Sequence, residues 1–507
     1  MLGSLKKDLV HIYGWQLLSL CTRFASLLIV VPLLAGDSEL FGIYSICVSI
    51  VMYLSYADFG FLASGQKFAA EAFAAARLQD EISITGFTFF ILVVMFIPFV
   101  FIGCYLAFAP TILINGLSDI NFPVAQNLLL IIGLLVPIQI LLERLSICIT
   151  AIRLKDYLVT RVNVGANMVK IFGIFLFQDG EGIRLAEYFL FTTLISILVA
   201  LLVTIMVSKR LGYDLKLLIV NIRFDKVLYS RLSKLSWNTF LLTIAFMIYY
   251  EADLIIIGKL MGPEEVALYA VGFTLINFLR NIFNIIYAPF SHRLNHFAGV
   301  KNTESMVTLF HKLIFYGLPF YVISLTILVL VSEYLIIYWV GVEYEDSIWL
   351  AKLLFISLAF GFLVKPAGYF FNSTLNYGYI RMLAIVGVLV FLGSLLVLYP
   401  QYGLASFAIS KILVGFSLFV VCIYGLRSHV WVLRELIKIM PVLLICFITL
   451  VMGLPYLLDS IFEITGKSIL NLSILFLLCS AIFLISLSSI FISSKSVRTE
   501  IKRVLSS

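Results

Sequence analysis

Charge is scarce in this chain. Only 12% of its 507 residues are Asp, Glu, Lys or Arg, where a soluble domain carries about a quarter. With 62% of residues hydrophobic, and a single core in water growing no further than about 300 residues, a bilayer is the solvent that fits. Reactive motifs are missing too. There is no GxGxxG, Walker loop, nucleophile elbow or HExxH, so nothing cradles ATP and no hydrolytic centre is marked. No CxxC spacing occurs: Cys21, Cys47, Cys104, Cys148, Cys422, Cys446 and Cys479 fall in or beside apolar runs, as small buried hydrophobes do. His292 and His296 have i, i+4 spacing but neither the glutamate nor a third ligand of a zinc site. No metal and no cofactor are expected. The net charge of +7 is not interleaved with stacking aromatics on a polar surface, which excludes nucleic acid as a partner.

What the chain has in abundance is apolar runs of about 20 residues, the length that crosses a bilayer as a helix. Fourteen spans are expected, near 9–34, 41–64, 84–108, 124–151, 160–178, 186–207, 236–258, 266–290, 311–331, 348–372, 381–399, 404–425, 439–458 and 468–492. Lys6 and Lys7 precede a run too long for a cleaved signal, so the first helix is expected to be retained. An even count puts both termini on one side. Basic residues crowd the connections on that side, whereas the opposite set holds only Arg184, Lys259, Lys352 and Lys467. By the positive-inside rule both ends are cytoplasmic. The longest outward loop is expected around Ser332 to Ser347, and the basic connection Ser208 to Ser236 reads as a solvated linker at anionic headgroups.

The segment LAGDSELFGIYSICVSIVMYL from Leu34 resembles LMGPEEVALYAVGFTLINFL from Leu260. Gly36 pairs with Gly262, Tyr44 with Tyr269, Arg77 with Lys301 and Asp80 with Glu304, at offsets of 226, 225 and 224. Each copy reads as helix, acidic turn, helix and short amphipathic segment. Six spans separate the copies, so they share an orientation, related by a pseudo-twofold axis along the membrane normal. The fold class is therefore an all-α polytopic membrane protein of about 14 helices, in two six-helix lobes plus two C-terminal helices. The divisions are an N-terminal lobe 1–207, a linker 208–235, a C-terminal lobe 236–425, and the last two helices with a tail, 426–507.

Charges inside spans need a reason, because each costs at least about 2.5 to 3.5 kcal/mol at the bilayer centre. The cations are Arg23, Arg144, Lys170, Arg280, Lys365 and Lys411; the acids are Asp58, Glu143, Glu251 and Asp253. One reading is a cationic, water-filled cavity between the lobes that takes phosphate or pyrophosphate, with Arg as a planar fork and Lys as a point charge. The other is that some heads snorkel, Arg144 first among them, or pair with the acids. Asp58, Glu251 and Asp253 serve in ion or proton coupling or neutralise cations; in the cluster YYEAD, Glu251 and Asp253 beside Tyr249 and Tyr250 also suit a sugar-binding surface, and Asp253 alternatively sits hydrated. Pro98, Pro137, Pro319 and Pro366 lie within spans and favour bends, and Lys365 beside Pro366 marks an expected break.

The stretch EADLIIIGKLMGPEEVALYAVG, its repeat GDSELFGIYS and the twelve-plus-two plan resemble the polysaccharide transporter family of the multidrug, oligosaccharidyl-lipid and polysaccharide exporter superfamily. The resemblance implies a flippase of the bacterial inner membrane, not an enzyme. It would move undecaprenyl-pyrophosphate-linked oligosaccharide, such as an O-antigen repeat unit, from the cytoplasmic to the periplasmic leaflet by alternating access. Such a protein works beside a polysaccharide polymerase and chain-length proteins in lipopolysaccharide biosynthesis. An ion-coupled drug or metabolite exporter of the same superfamily is the alternative, though it would favour a net acidic interior. A membrane-embedded polymerase or glycosyltransferase would need a longer extramembrane loop than any found here.

Overall fold

The computed structural model describes residues 2–493 apart from 59, 154, 156, 180, 181, 300, 375, 428, 429 and 465. The tail with Lys495, Arg498, Lys502 and Arg503, and the side chains of His292 and His296, lie outside the described residues.

The chain is all-α. Its helices are α1 (Leu2–Leu34), α2 (Ser38–Ser55), α3 (Phe61–Ala74), α4 (Leu78–Phe108), α5 (Phe122–Leu134), α6 (Val136–Ile152), α7 (Tyr157–Gly173), α8 (Leu185–Leu211), α9 (Leu215–Val220), α10 (Lys226–Phe246) and α11 (Asp253–Leu260). There follow α12 (Pro263–Gly299), α13 (Thr303–Val340), α14 (Asp346–Ser357), α15 (Gly361–Ser373), α16 (Tyr377–Tyr402), α17 (Ala405–Gly425), α18 (Val430–Ile461) and α19 (Ile469–Ser493). Extended pairing among the described residues is confined to Gln178–Asp179 against Gly182–Ile183. Among the described residues twelve spans are long and apolar enough to cross a membrane, α5 and α6 forming one of them. Two bent pairs reach that length together: Phe240–Glu251 with Asp253–Leu260, at 51°, and α14 with α15, at 42°. The expected fourteen spans are these.

Several expected boundaries move. Span 2 stops at Ser55 rather than 64, because Asp58 accepts from Gly60 N at 3.2 Å and Gly60 takes φ 78°, a turn from which α3 starts afresh. The loop expected around Ser332 to Ser347 is mostly helix: α13 runs to Val340, and only Gly341 to Glu345 separate it from α14. The break expected at Pro366 lies instead at Leu358 to Phe360, with Pro366 inside α15. The α4–α5 connection, Ala109 to Asn121, is held by Glu39, which accepts from Ser118 N, Ser118 Oγ and Asn121 Nδ2, each at 2.7 Å.

By contact the chain divides into two compact units, Met1–Ala267 and Leu268–Ser507. In the first, α11 and the start of α12 pack on α2 so closely that a Cβ on Gly42 would stand 1.8 Å from the Pro263 carbonyl oxygen. Gly103 and Gly133 likewise let α4 and α5 touch at their backbones. At one end of this unit Arg153 joins four elements. It is bidentate to the fully buried Glu81 at 3.1 and 3.2 Å, donates to the Leu211 carbonyl at the end of α8, and lies 5.0 Å from the Phe73 and Tyr213 ring centroids. The second unit is centred on α13, where Tyr321 stacks on Phe283 of α12 at 3.8 Å and Phe310 meets Phe370 of α15 at 4.7 Å.

Equivalent geometry recurs in the two copies of the repeat at one constant offset. Helix α2 begins at Ser38 and α12 at Pro263; α4 begins at Leu78 and α13 at Thr303. Ala76 and Lys301, both non-glycine, sit at φ 57° and 55°. Around them Ala76 N bonds Phe73 O and Arg77 N bonds Ala72 O, as Lys301 N bonds Ala298 O and Asn302 N bonds Phe297 O. All these pairs differ by 225, so the offsets of 226 and 224 read from Gly36 and Arg77 are corrected: Ala76, not Arg77, matches Lys301. Tyr44 meets Phe189 of α8 edge-on at 6.4 Å, and Tyr269 meets Phe407 of α17 edge-on at 6.2 Å. One difference stands out. The first copy breaks between α2 and α3, while the second runs unbroken through α12.

Candidate functional site

Each unit gathers intramembrane cations around its own helices. In the second, Arg280 of α12 and Lys411 of α17 approach the same ring: Arg280 Cζ is 5.9 Å and Lys411 Nζ 5.5 Å from the centroid of Phe273. Lys411, only 6% exposed, also lies 5.8 Å from Phe391. An aromatic face stabilises a desolvated cation by about 2 kcal/mol, and two such rings lie beside this buried lysine. Lys365 Nζ donates to Asn284 Oδ1 at 2.6 Å, Arg280 donates to Asn277 Oδ1, and Lys365 stands in the electrostatic field of Arg280. Arg280, Lys365 and Lys411 thus come together.

In the first unit Lys170 of α7 donates to Ser196 Oγ at 2.5 Å and feels both Glu143 and Arg23. Glu143 accepts from Gln139 Nε2 at 3.0 Å, and Arg23 is exposed. Arg144 stands apart from this group. Rather than reaching for a headgroup, it donates to the Ser55 carbonyl at the end of α2 at 2.8 Å. There it faces Asp58, which lies in the turn after α2 and not within a helix. Burial raises the pKa of the Asp58 carboxyl, outweighing the Gly60 N–H and the Arg144 guanidinium, which lower it. Of the intramembrane cations, it is Arg144 that faces Asp58. The two copies agree in plan: a cation on the second segment of a span built from two helices, Arg144 on α6 and Lys365 on α15, reaches the helix that follows the acidic turn of its repeat, α2 or α12.

Glu251 and Asp253 flank the bend of the seventh span, where Met247–Glu251 forms a π-helical turn. Such a turn displaces carbonyls from the α ladder. Here two hydroxyls one turn apart on α2 take them up: Tyr53 donates to Met247 O at 3.1 Å and Ser49 to Glu251 O at 2.9 Å. Glu251 is 5% exposed and Asp253 is fully buried, so the hydrated reading of Asp253 does not hold. Asp253 opens α11, where the helix dipole favours a carboxylate. Among the described residues no cluster of three or more His, Cys, Asp or Glu is placed to hold a metal ion.

Reading charge alone misses the amides. Asn277, Asn281 and Asn284 share one face of α12 with Arg280, at i, i+4 and i+7. That spacing was the available signal.

No family model matches the chain, and no curated protein matches it in sequence. Solved structures do match in fold. Lipid II flippase MurJ in an inward closed conformation superposes with a TM-score of 0.67 at 15% identity, over 96% of this chain and 98% of that one. An inward-facing multidrug resistance transporter of the MATE family, in the MOP superfamily, gives 0.63 at 14% identity over 84% and 99%. A MOP superfamily transporter from Pyrococcus furiosus, described as having a binding pocket of reverse polarity, gives 0.61 at 12% over 85% and 96%. The chain is thus a multi-pass helical membrane protein with the fold of these transporters. At such identities the likeness is one of fold.

Proposed function

We propose that this protein is a flippase for an undecaprenyl-pyrophosphate-linked oligosaccharide, such as an O-antigen repeat unit. It moves that lipid from the cytoplasmic to the periplasmic leaflet of a bacterial inner membrane by alternating access. The observation that carries the reading is a run of three cations on apolar helices of one unit, Arg280 and Lys411 at the Phe273 ring and Lys365 in the field of Arg280, a concentration of positive charge suited to a pyrophosphate. Arg23 and Lys170 offer a second cationic pair in the first unit. The MurJ likeness supports a lipid-linked substrate by analogy of fold. Transport, not bond chemistry, is assigned, so the protein is read as a non-enzyme. With no ATP loop in the sequence, coupling falls to an ion gradient, the membrane potential or the substrate gradient, and for the first of these the buried Glu251 and Asp253, with Asp58, are the proposed coupling groups.

Charge reversal tests this. Arg23→Glu or Arg280→Glu is expected to abolish flipping while membrane insertion stays normal, read by a leaflet-resolved assay of lipid-linked sugar in cells lacking the wild-type gene. Normal surface polysaccharide in either variant would overturn the assignment of that residue. A second reading, an ion-coupled drug exporter, draws on the same buried carboxylates and on the MATE likeness. It predicts proton- or sodium-driven efflux of a cationic dye from proteoliposomes, which the flippase reading does not.

A further inference from the structure

The cationic cluster of the second unit continues into a strip of neutral amides on the same helix. At 100° per residue, Asn277, Asn281 and Asn284 fall within about 60° of one another on α12, and Arg280 about 40° outside that arc. Asn277 and Asn281 lie in a membrane-crossing segment, Pro263–Tyr287, and Asn281 is exposed there. An amide turned to hydrocarbon would leave its polar groups unsatisfied at a cost of several kcal/mol, so this face meets water or a polar ligand. Further along, Asn295 Oδ1 accepts from Ser373 Oγ of α15 at 2.8 Å, which carries the polar face toward the end of α12.

The cations set the orientation of two of these amides. Ammonium and guanidinium groups can only donate, so the atoms they hold, Asn284 Oδ1 at 2.6 Å from Lys365 and Asn277 Oδ1 beside Arg280, are oxygens. The NH2 group of each amide is therefore turned away from its cation and presents two donors beside a site of positive charge. The repeat does not require this. At the constant offset, the residues matching Asn277, Arg280 and Asn281 are Met52, Ser55 and Tyr56, none of them an amide and the last already in the turn after α2.

We propose that the Asn277–Asn281–Asn284 strip is a sugar subsite, holding the hydroxyls of the first sugar of a lipid-linked headgroup whose pyrophosphate lies on Arg280, Lys365 and Lys411. Amides both donate and accept, as sugar hydroxyls do, whereas the cations discriminate only for the phosphates. This rests on the flippase reading and adds to it a division of labour along one helix.

The test uses the full-length protein in nanodiscs with two probes, undecaprenyl pyrophosphate and undecaprenyl-pyrophosphoryl-N-acetylglucosamine. Wild type is expected to bind the sugar-bearing lipid more tightly. Asn281→Ala, which touches neither cation's partner, is expected to lose about fivefold in affinity for that lipid, the worth of one neutral hydrogen bond, with the sugar-free lipid unchanged. Asn281→Gln, which keeps the amide, should recover most of the loss. Equal binding of both lipids by wild type, or an equal loss for both in Asn281→Ala, would overturn the subsite and leave the cationic site standing. Binding of neither lipid by wild type would remove the flippase reading and the subsite with it.

Discussion

Arg153 shows how much a single side chain carries. It is the partner of a carboxylate with no exposure at all, it caps the last turn of α8, and two rings lie within cation–π distance of it. Removing one partner of such a pair strands a buried charge at a cost of about 3–5 kcal/mol. Arg153→Ala is expected to destabilise the protein by that amount in denaturant unfolding, and Arg153→Lys to recover only part, because lysine lacks the planar fork. Adding Glu81→Leu to Arg153→Met should restore most of the stability. A loss under about 1 kcal/mol for Arg153→Ala would show the pair to be solvent-screened. At this scale the sequence was readable where a residue is costly in a bilayer. Arg23, Arg280, Lys170, Lys365 and Lys411 break the hydropathy of their spans and declare themselves, whereas Asn281 barely dents it. Arg153 lay at a span end, where one more basic residue carries no signal of the glutamate it holds 72 positions away.

Among the elements, the π-helical turn at Met247–Glu251 matters most, because the bend of the seventh span and both buried carboxylates depend on it. A π turn is one residue more than the α ladder accepts. Deleting Ile248 should let the segment revert to α-helix with Asp253 near its present phase, because the wide turn absorbs the one extra residue, and should straighten the bend, so transport is expected to fall to background while the protein still inserts. Full transport by the deletion variant would mean that the turn has no part in the cycle. Ser49→Ala and Tyr53→Phe each withdraw one donor from a displaced carbonyl and should cost about 1 kcal/mol apiece in stability. Nothing in the residues MIYYE announces this turn, since a π segment differs from an α segment only in hydrogen-bond register. The same holds for the overshoot of span 2: residues 56–58 are compatible with a helix, and the stop comes from the Asp58–Gly60 turn. Apolar runs disclosed how many spans there are, but where each one bends depends on which neighbour receives its carbonyls.

For the whole molecule the open quantity is orientation. The basic residues lie so heavily on one set of connections that both ends are expected in the cytoplasm. A fluorescent protein fused at the C-terminus should fold and fluoresce, and alkaline phosphatase inserted at Gly116, in the α4–α5 connection, should be active. The opposite pattern would invert the protein and, with it, the direction of transport. The twelve apolar helices and two bent pairs were visible because membrane thickness imposes a length on sequence. The grouping into contact units was not, because the division at Ala267 and Leu268 places the seventh span beside α2, through bonds from Ser49 and Tyr53 that no hydropathy profile records.

The paired left-handed turns at Ala76 and Lys301 fix a length in each copy. Ser38 to Ala76 and Pro263 to Lys301 are intervals of equal length, although few of their letters agree. One extra residue before either turn would swing every later side chain of its helix by about 100° and carry the turn out of place. What the two stretches share is thus a count of residues rather than a wording, so a single-residue insertion within either is expected to disturb the fold more than a change of letter at the same position.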